Sequence, residues 1–128
     1  MSSTNAPFGL RPAYHPSGLD RAVTLADGIA SAYNTAILKG QPVKLNSSGN
    51  IVVAAAGDAF QGAFAGVQFT DSTGRARVSN NWPANTAYTA GSCVAYYYND
   101  PNIVYEIQAA GSLAQTSVGD MADLSNTT

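Results

Sequence analysis

Residues able to do chemistry are sparse in this chain of 128 residues, which contains one histidine, one cysteine and eight acidic residues. Nucleophilic catalysis needs a base held beside the nucleophile, most often histidine. His15 lies within a proline-rich stretch, where it is hard to hold against any serine, and neither a G-x-S-x-G elbow nor an H-E-x-x-H pair is present. Cys93 sits in a strand-like run between Ser92 and Val94, where a small buried side chain is the expectation and a reactive thiolate is not. Asp71-Ser72-Thr73-Gly74 resembles an aspartic-protease triplet interrupted by one extra residue, and reads as a turn. Asp100 and Glu106 have the chemistry of an acid–base pair, and Asn99, Asp100 and Asn102 carry oxygens suited to a cation. Asn99-Asp100-Pro101-Asn102 reads instead as the turn that two flanking strands require. Two sequons, at Asn46 and Asn126, are expected by chance in so Ser/Thr-rich a chain. With no phosphate-cradling loop either, the reading is a non-enzyme without cofactor or metal.

Charged residues make up 11 % of the chain, against roughly 25 % in ordinary soluble domains. A surface so poor in charge suits faces covered by partners, because charged groups are depleted from interface cores. A neutral polar surface, as on secreted or viral proteins, is the alternative. The net charge of −2 gives no electrostatic footprint for nucleic acid. All basic residues precede Val78, and only acids follow it, an asymmetry that suits head-to-side contact between subunits. One cysteine rules out an internal disulfide. No stretch is long enough to span a bilayer as a helix, and the N-terminus lacks a secretory pattern, so synthesis in a cytoplasm without membrane association is expected.

The elements that must position these residues are short and strand-like. Residues 1–21 carry three prolines together with Phe8, Leu10 and Tyr14. Proline excludes helix and interior strand, while a pure linker would lack the large side chains. The expectation is an extended arm that lays them on a neighbouring surface; an arm folded back over its own domain is the alternative. Residues 22–128 read as a single β-rich domain. Within it, Pro42–Leu45, the Asn46–Asn50 loop and Ile51–Ala55 form the firmest strand–turn–strand unit, with a short strand expected at Val23–Ala26.

Gly57–Gly74 is the expected central strand, apolar on both faces, with Phe60 and Phe64 on one and Val67 and Phe69 on the other. Arg75–Ser79 alternates, so one wet face is expected. Ser92–Tyr98 is strongly β-forming, with Tyr97 facing opposite to Tyr96 and Tyr98. Ile103–Ala109 alternates with Ile103, Tyr105 and Ile107 inward. Ser117–Leu124 suits one or two helical turns. The fold class is all-β: a small barrel, β-tulip-like or sandwich domain with an extended N-terminal arm and at most one short helix near the C-terminus.

Several blocks in fixed order carry a resemblance: N-A-P-F-G-L-R-P (5–12), G-Q-P-V-K-L (40–45), F-A-G-V-Q-F-T (64–70), Trp82-Pro83 and Y-Y-N-D-P-N-I-V-Y-E-I-Q-A (97–109). Together, spanning about Ala6 to Leu124, they resemble the capsid decoration, or cement, proteins of tailed bacteriophages. No block is catalytic. The resemblance implies a homotrimer on the surface of an icosahedral head, bridging major capsid subunits and stabilising the expanded shell against packed DNA. Phe8, Leu10, Arg11 and Tyr14 of the arm are then candidates for binding the capsid, and Phe60, Phe64, Trp82, Tyr96 and Tyr98 are candidates for subunit contact. Similar proteins often carry another β segment beyond the position of Leu124, which leaves the last strand pairing open. Two other readings remain: a head-fibre or tail component, and a carbohydrate- or ligand-binding module using Trp82, Tyr96, Tyr97 and Tyr98 as stacking platforms.

Overall fold

The computed structural model describes residues 9–18, 21–55, 57–109 and 112–121. Eight strands run in chain order: β1 Arg11–Tyr14, β2 Val23–Ala26, β3 Pro42–Leu45, β4 Ile51–Val53, β5 Gly62–Thr70, β6 Ala76–Ser79, β7 Val94–Tyr98 and β8 Val104–Glu106. A 3₁₀ turn at Gln115–Ser117 is the one helical element among the described residues. The protein is all-β. The turn begins before the helical segment expected at Ser117–Leu124, and residues 122–128 lie outside the described set.

Strands β2, β7, β5, β3 and β4 lie side by side in that order in an antiparallel six-stranded sheet, and β6 also pairs with β5. β3 takes the start of β5 at Gly62 and Ala63, β6 takes its end at Val67–Thr70, and β7 runs along it from Ala63 to Gln68. β5 is the longest strand, at nine residues, and the one that binds three others. Asn46 shapes the β3–β4 hairpin: its side-chain oxygen accepts the amides of Ser48 (3.0 Å) and Asn50 (2.9 Å), an Asx turn completed by Gly49 at φ 80°.

The expected face assignment along β5 requires correction. Phe64 pairs with Tyr97 and Gly66 with Tyr96, so Ala65 is an extra residue bulged out of the ladder. A bulge re-phases the strand by one residue. Phe64 before it and Val67 and Phe69 after it therefore all reach the same side, where each is buried. The opposite side of β5 is covered only near its start, where Ala63 and Gly66 are buried, while Gln68 is exposed and Thr70 half-buried. Phe60 precedes the strand and is 40 % exposed.

The core gathers Ile29, Ile37, Val43 and Ile51 with these β5 side chains, Trp82, Cys93 and Tyr97. Trp82 stands edge-on to Phe69, ring centroids 5.6 Å apart, and to Tyr88 at 6.2 Å. Trp82 and Ile37 exchange backbone hydrogen bonds of 2.8 and 3.1 Å, which fixes the 80–85 loop over the sheet. The expected single wet face of the 75–79 strand is also corrected. Along β6, Ala76, Arg77 and Val78 are all exposed, Val78 at 80 %, because β6 overhangs the core edge and pairs only with β5.

Candidate functional site

The described part of the arm does not project. β1 pairs antiparallel with β8 in a separate two-stranded sheet, Arg11 opposite Glu106 and Pro12 opposite Tyr105. The Leu10 amide donates to the Gly40 carbonyl at 2.7 Å, and the Leu10 side chain is 5 % exposed. Gly9, at φ 75°, makes this possible, since a β-carbon there would stand 2.6 Å from the Gly40 oxygen. Leu10, expected as a capsid anchor, is thus committed to its own domain. Burying it there removes more apolar surface from water than leaving it free. Tyr14, 59 % exposed, and Arg11, ion-paired to Glu106 at 2.6 Å, remain on the surface. Phe8 lies outside the described residues.

The arm is then clasped by a group that sequence reasoning set aside. His15 Nε2 lies 2.6 Å from Asp100 Oδ2, and its Nδ1 lies 3.1 Å from the Ser17 amide and 2.6 Å from Ser17 Oγ. The amide can only donate, so Nδ1 accepts and Nε2–H donates to Asp100. In outline this is a Ser–His–Asp arrangement, and the expectation that His15 would find no serine is corrected. H-P-S-G is a turn that returns Ser17 onto the ring two residues back, a signal legible in sequence. Asp100, 85 residues away, is not.

The arrangement does not amount to an acyl-transfer centre. The amide and hydroxyl of one residue compete for the single in-plane lone pair of Nδ1. The next amide, Gly18, donates to the His15 carbonyl at 2.8 Å. Both amides adjoining the hydroxyl are thereby used inside the turn, leaving neither for a developing oxyanion. What the geometry does is tie the end of β1 to the β7–β8 turn. Asp100 stands at the turn its sequence suits, and Asp100 and Glu106 each hold a different side chain of the arm.

The other acids are similarly occupied. Asp71 Oδ1 accepts from Thr73 Oγ1 (2.6 Å) and from the Thr73 and Arg75 amides (3.0 Å each), with Arg77 on Oδ2 at 3.3 Å. These donors, Thr73 foremost, hold its carboxyl down to about 2. Asp58 is lowered by Lys44, 2.6 Å away, and by the Ala55 amide. Asp100 is lowered by the Asn102 amide and, to a smaller extent, by His15. Asp27 receives the amides of Gly91 and Cys93. Cys93 itself is 1 % exposed, and burial pushes its thiol up. Among the described residues no group of three or more His, Cys, Asp or Glu is placed to hold a metal ion. No helix there is long and apolar enough to cross a membrane.

The residues expected at subunit contacts separate into two groups. Phe64 and Trp82 are fully buried within this one chain, which removes them from that role, because their packing fills the core. With Tyr97 also buried, at 6 %, the idea of stacking platforms at Trp82 and Tyr97 fails for the same reason. Phe60, Tyr96 and Tyr98 keep accessible surface. The Tyr96 hydroxyl donates to Gln68 at 3.3 Å across the sheet face that points away from the core.

That face is not covered by any other described strand. Register places Thr24 and Ala26 of β2, Val94 and Tyr96 of β7, Gln68 and Thr70 of β5, and Ala76 and Val78 of β6 on one side. It spans four strands and carries no charged side chain. Compared with known proteins, the chain matches no family model, no curated protein and no solved structure.

Proposed function

We propose that this chain is a structural virion protein that decorates and cements the outside of an icosahedral phage capsid as a homotrimer bridging major capsid subunits. The observation that carries this reading is the uncharged outer face of β2, β7, β5 and β6. Two such faces meet without desolvating a charge, and Tyr96 and Val78 supply an aromatic and an apolar contact of the kind concentrated at interface centres. The ordered blocks resembling decoration proteins give the reading its partner. Bridging works by multivalency: a trimer engaging several capsid subunits sums modest contacts through effective concentration. Affinity for the expanded shell alone stabilises that shell by mass action.

The test mixes purified protein with expanded heads that lack it, followed by particle imaging and heating. Density at threefold or quasi-threefold positions, with a raised rupture temperature, is the expected result. Heads that stay bare overturn the reading, and protein found on tails or fibres replaces it with the other virion role.

A further inference from the structure

We propose that the cleft between residues 60–62 and the β7–β8 turn is a binding site for a neutral saccharide. The cleft measures about 490 Å³, within the roughly 300–1,000 Å³ of small-molecule sites. Its walls are Phe60 and Gln61 on one side and Asn99, Asp100, Ile103 and Tyr105 on the other. It is built by a close backbone approach. Gly62 lets the Tyr98 carbonyl and Asn99 come close, which sets the turn beside the start of β5.

The lining selects the ligand. Phe60 presents an open ring, 40 % exposed, suited to the C–H face of a pyranose. The side-chain amides of Gln61 and Asn99 and the Tyr105 hydroxyl make no hydrogen bond to any described residue. Amides and phenols both donate and accept, as sugar hydroxyls do. Burial raises the Tyr105 phenol, which keeps it protonated. Asp100 is already satisfied by His15 and by the Asn102 amide at 2.9 Å, and neither lysine nor arginine lines the cleft to hold an anion. A wholly apolar ligand would bury these amides unpaired, at a cost in free energy. The fit is to a neutral, polyhydroxylated molecule with one apolar face. This inference rests on the cleft alone and stands apart from the virion reading.

The test is an NMR titration of the isotope-labelled full chain with methyl α-D-glucopyranoside, methyl α-D-mannopyranoside, methyl β-D-galactopyranoside and N-acetyl-D-glucosamine. At least one is expected to give saturable shifts confined to the amides of residues 60–62 and 99–105, with Kd on the order of 1 mM. Phe60→Ala and Asn99→Ala, both surface changes compatible with the fold, should each weaken that binding by about tenfold. Tyr96→Ala, on the outer sheet face, should leave it unchanged. Absence of saturable shifts with all four sugars overturns the proposal, as does binding that maps elsewhere or that survives both cleft substitutions.

Discussion

A β-carbon on Gly62 would overlap the carbonyl oxygen of Tyr98. The neighbour is backbone, paired within the sheet, so it cannot swing aside as a flexible side chain would. Gly62→Ala must therefore force β5 and β7 apart at the point where the sheet begins. The expected loss is about 3 kcal/mol or more, read from urea unfolding. Gly66 is less crowded: its β-carbon would lie 3.0 Å from Ser79 O. At φ 155° Gly66 also holds a backbone conformation that side chains rarely adopt, so Gly66→Val should destabilise the sheet as well.

The arm is held at two points that differ in kind. Leu10→Ala empties a buried site and should cost about 3 kcal/mol of global stability. His15→Ala removes the clasp to Asp100 together with the Ser17 contacts on Nδ1, and should cost about 1 kcal/mol. Its clearer signature is faster amide exchange in β1 with little change in β5. Equal acceleration in both strands would show that the clasp is no local tie.

Acid should unfold the protein partly through Asp71. Its carboxyl is held at about 2 against an ordinary value of 3.8. A depressed carboxylate contributes stability that is fully present above the ordinary value and lost as pH falls through the folded-state value. The urea midpoint should thus decline between pH 3.8 and about 2. Asp71→Asn should start lower and decline less over that interval.

The outer face predicts a separation of assembly from folding. Val78 is 80 % exposed and Tyr96 half-buried, so Val78→Asp combined with Tyr96→Arg should leave the melting temperature within a few degrees of the original. Sedimentation velocity should show the parent as a trimer and the double variant as a monomer. A parent that sediments as a monomer removes the face from the argument for subunit contact.

Cys93 should resist iodoacetamide in the folded protein and react once urea unfolds it. The thiol is 1 % exposed and its ionisation is raised by burial, both of which suppress the thiolate that reacts. Rapid labelling in native buffer would contradict the packing of β7 against the core.

Much of the fold was legible because local pattern dictated it. Asn46-Ser47-Ser48-Gly49-Asn50 encodes its own Asx turn, and Ile51–Val53 after it is a β-branched run. Tyr97 faces opposite to Tyr96 and Tyr98, as alternation requires, and the structure shows that Tyr97 is the buried one. The candidate site was less legible. Phe64 and Trp82 are large and apolar, and composition does not say whether such a side chain meets its own core or another chain. His15 and Asp100 meet only because β1 returns antiparallel to β8.

The sequence by itself determined the all-β class, the scarcity of charge, the turn positions and the buried character of Cys93, since each follows from residue type and short-range spacing. Tertiary structure decided which side of each strand became core. The bulge at Ala65 is the plainest case. Strict alternation sends Phe64 and Phe69 to opposite faces, yet one extra residue in the ladder brings both inward and leaves the other face uncharged and open. A ladder irregularity costs one residue's pairing, whereas two buried aromatic rings recover several times that in apolar burial. Only the paired strand, through its register, could decide between them.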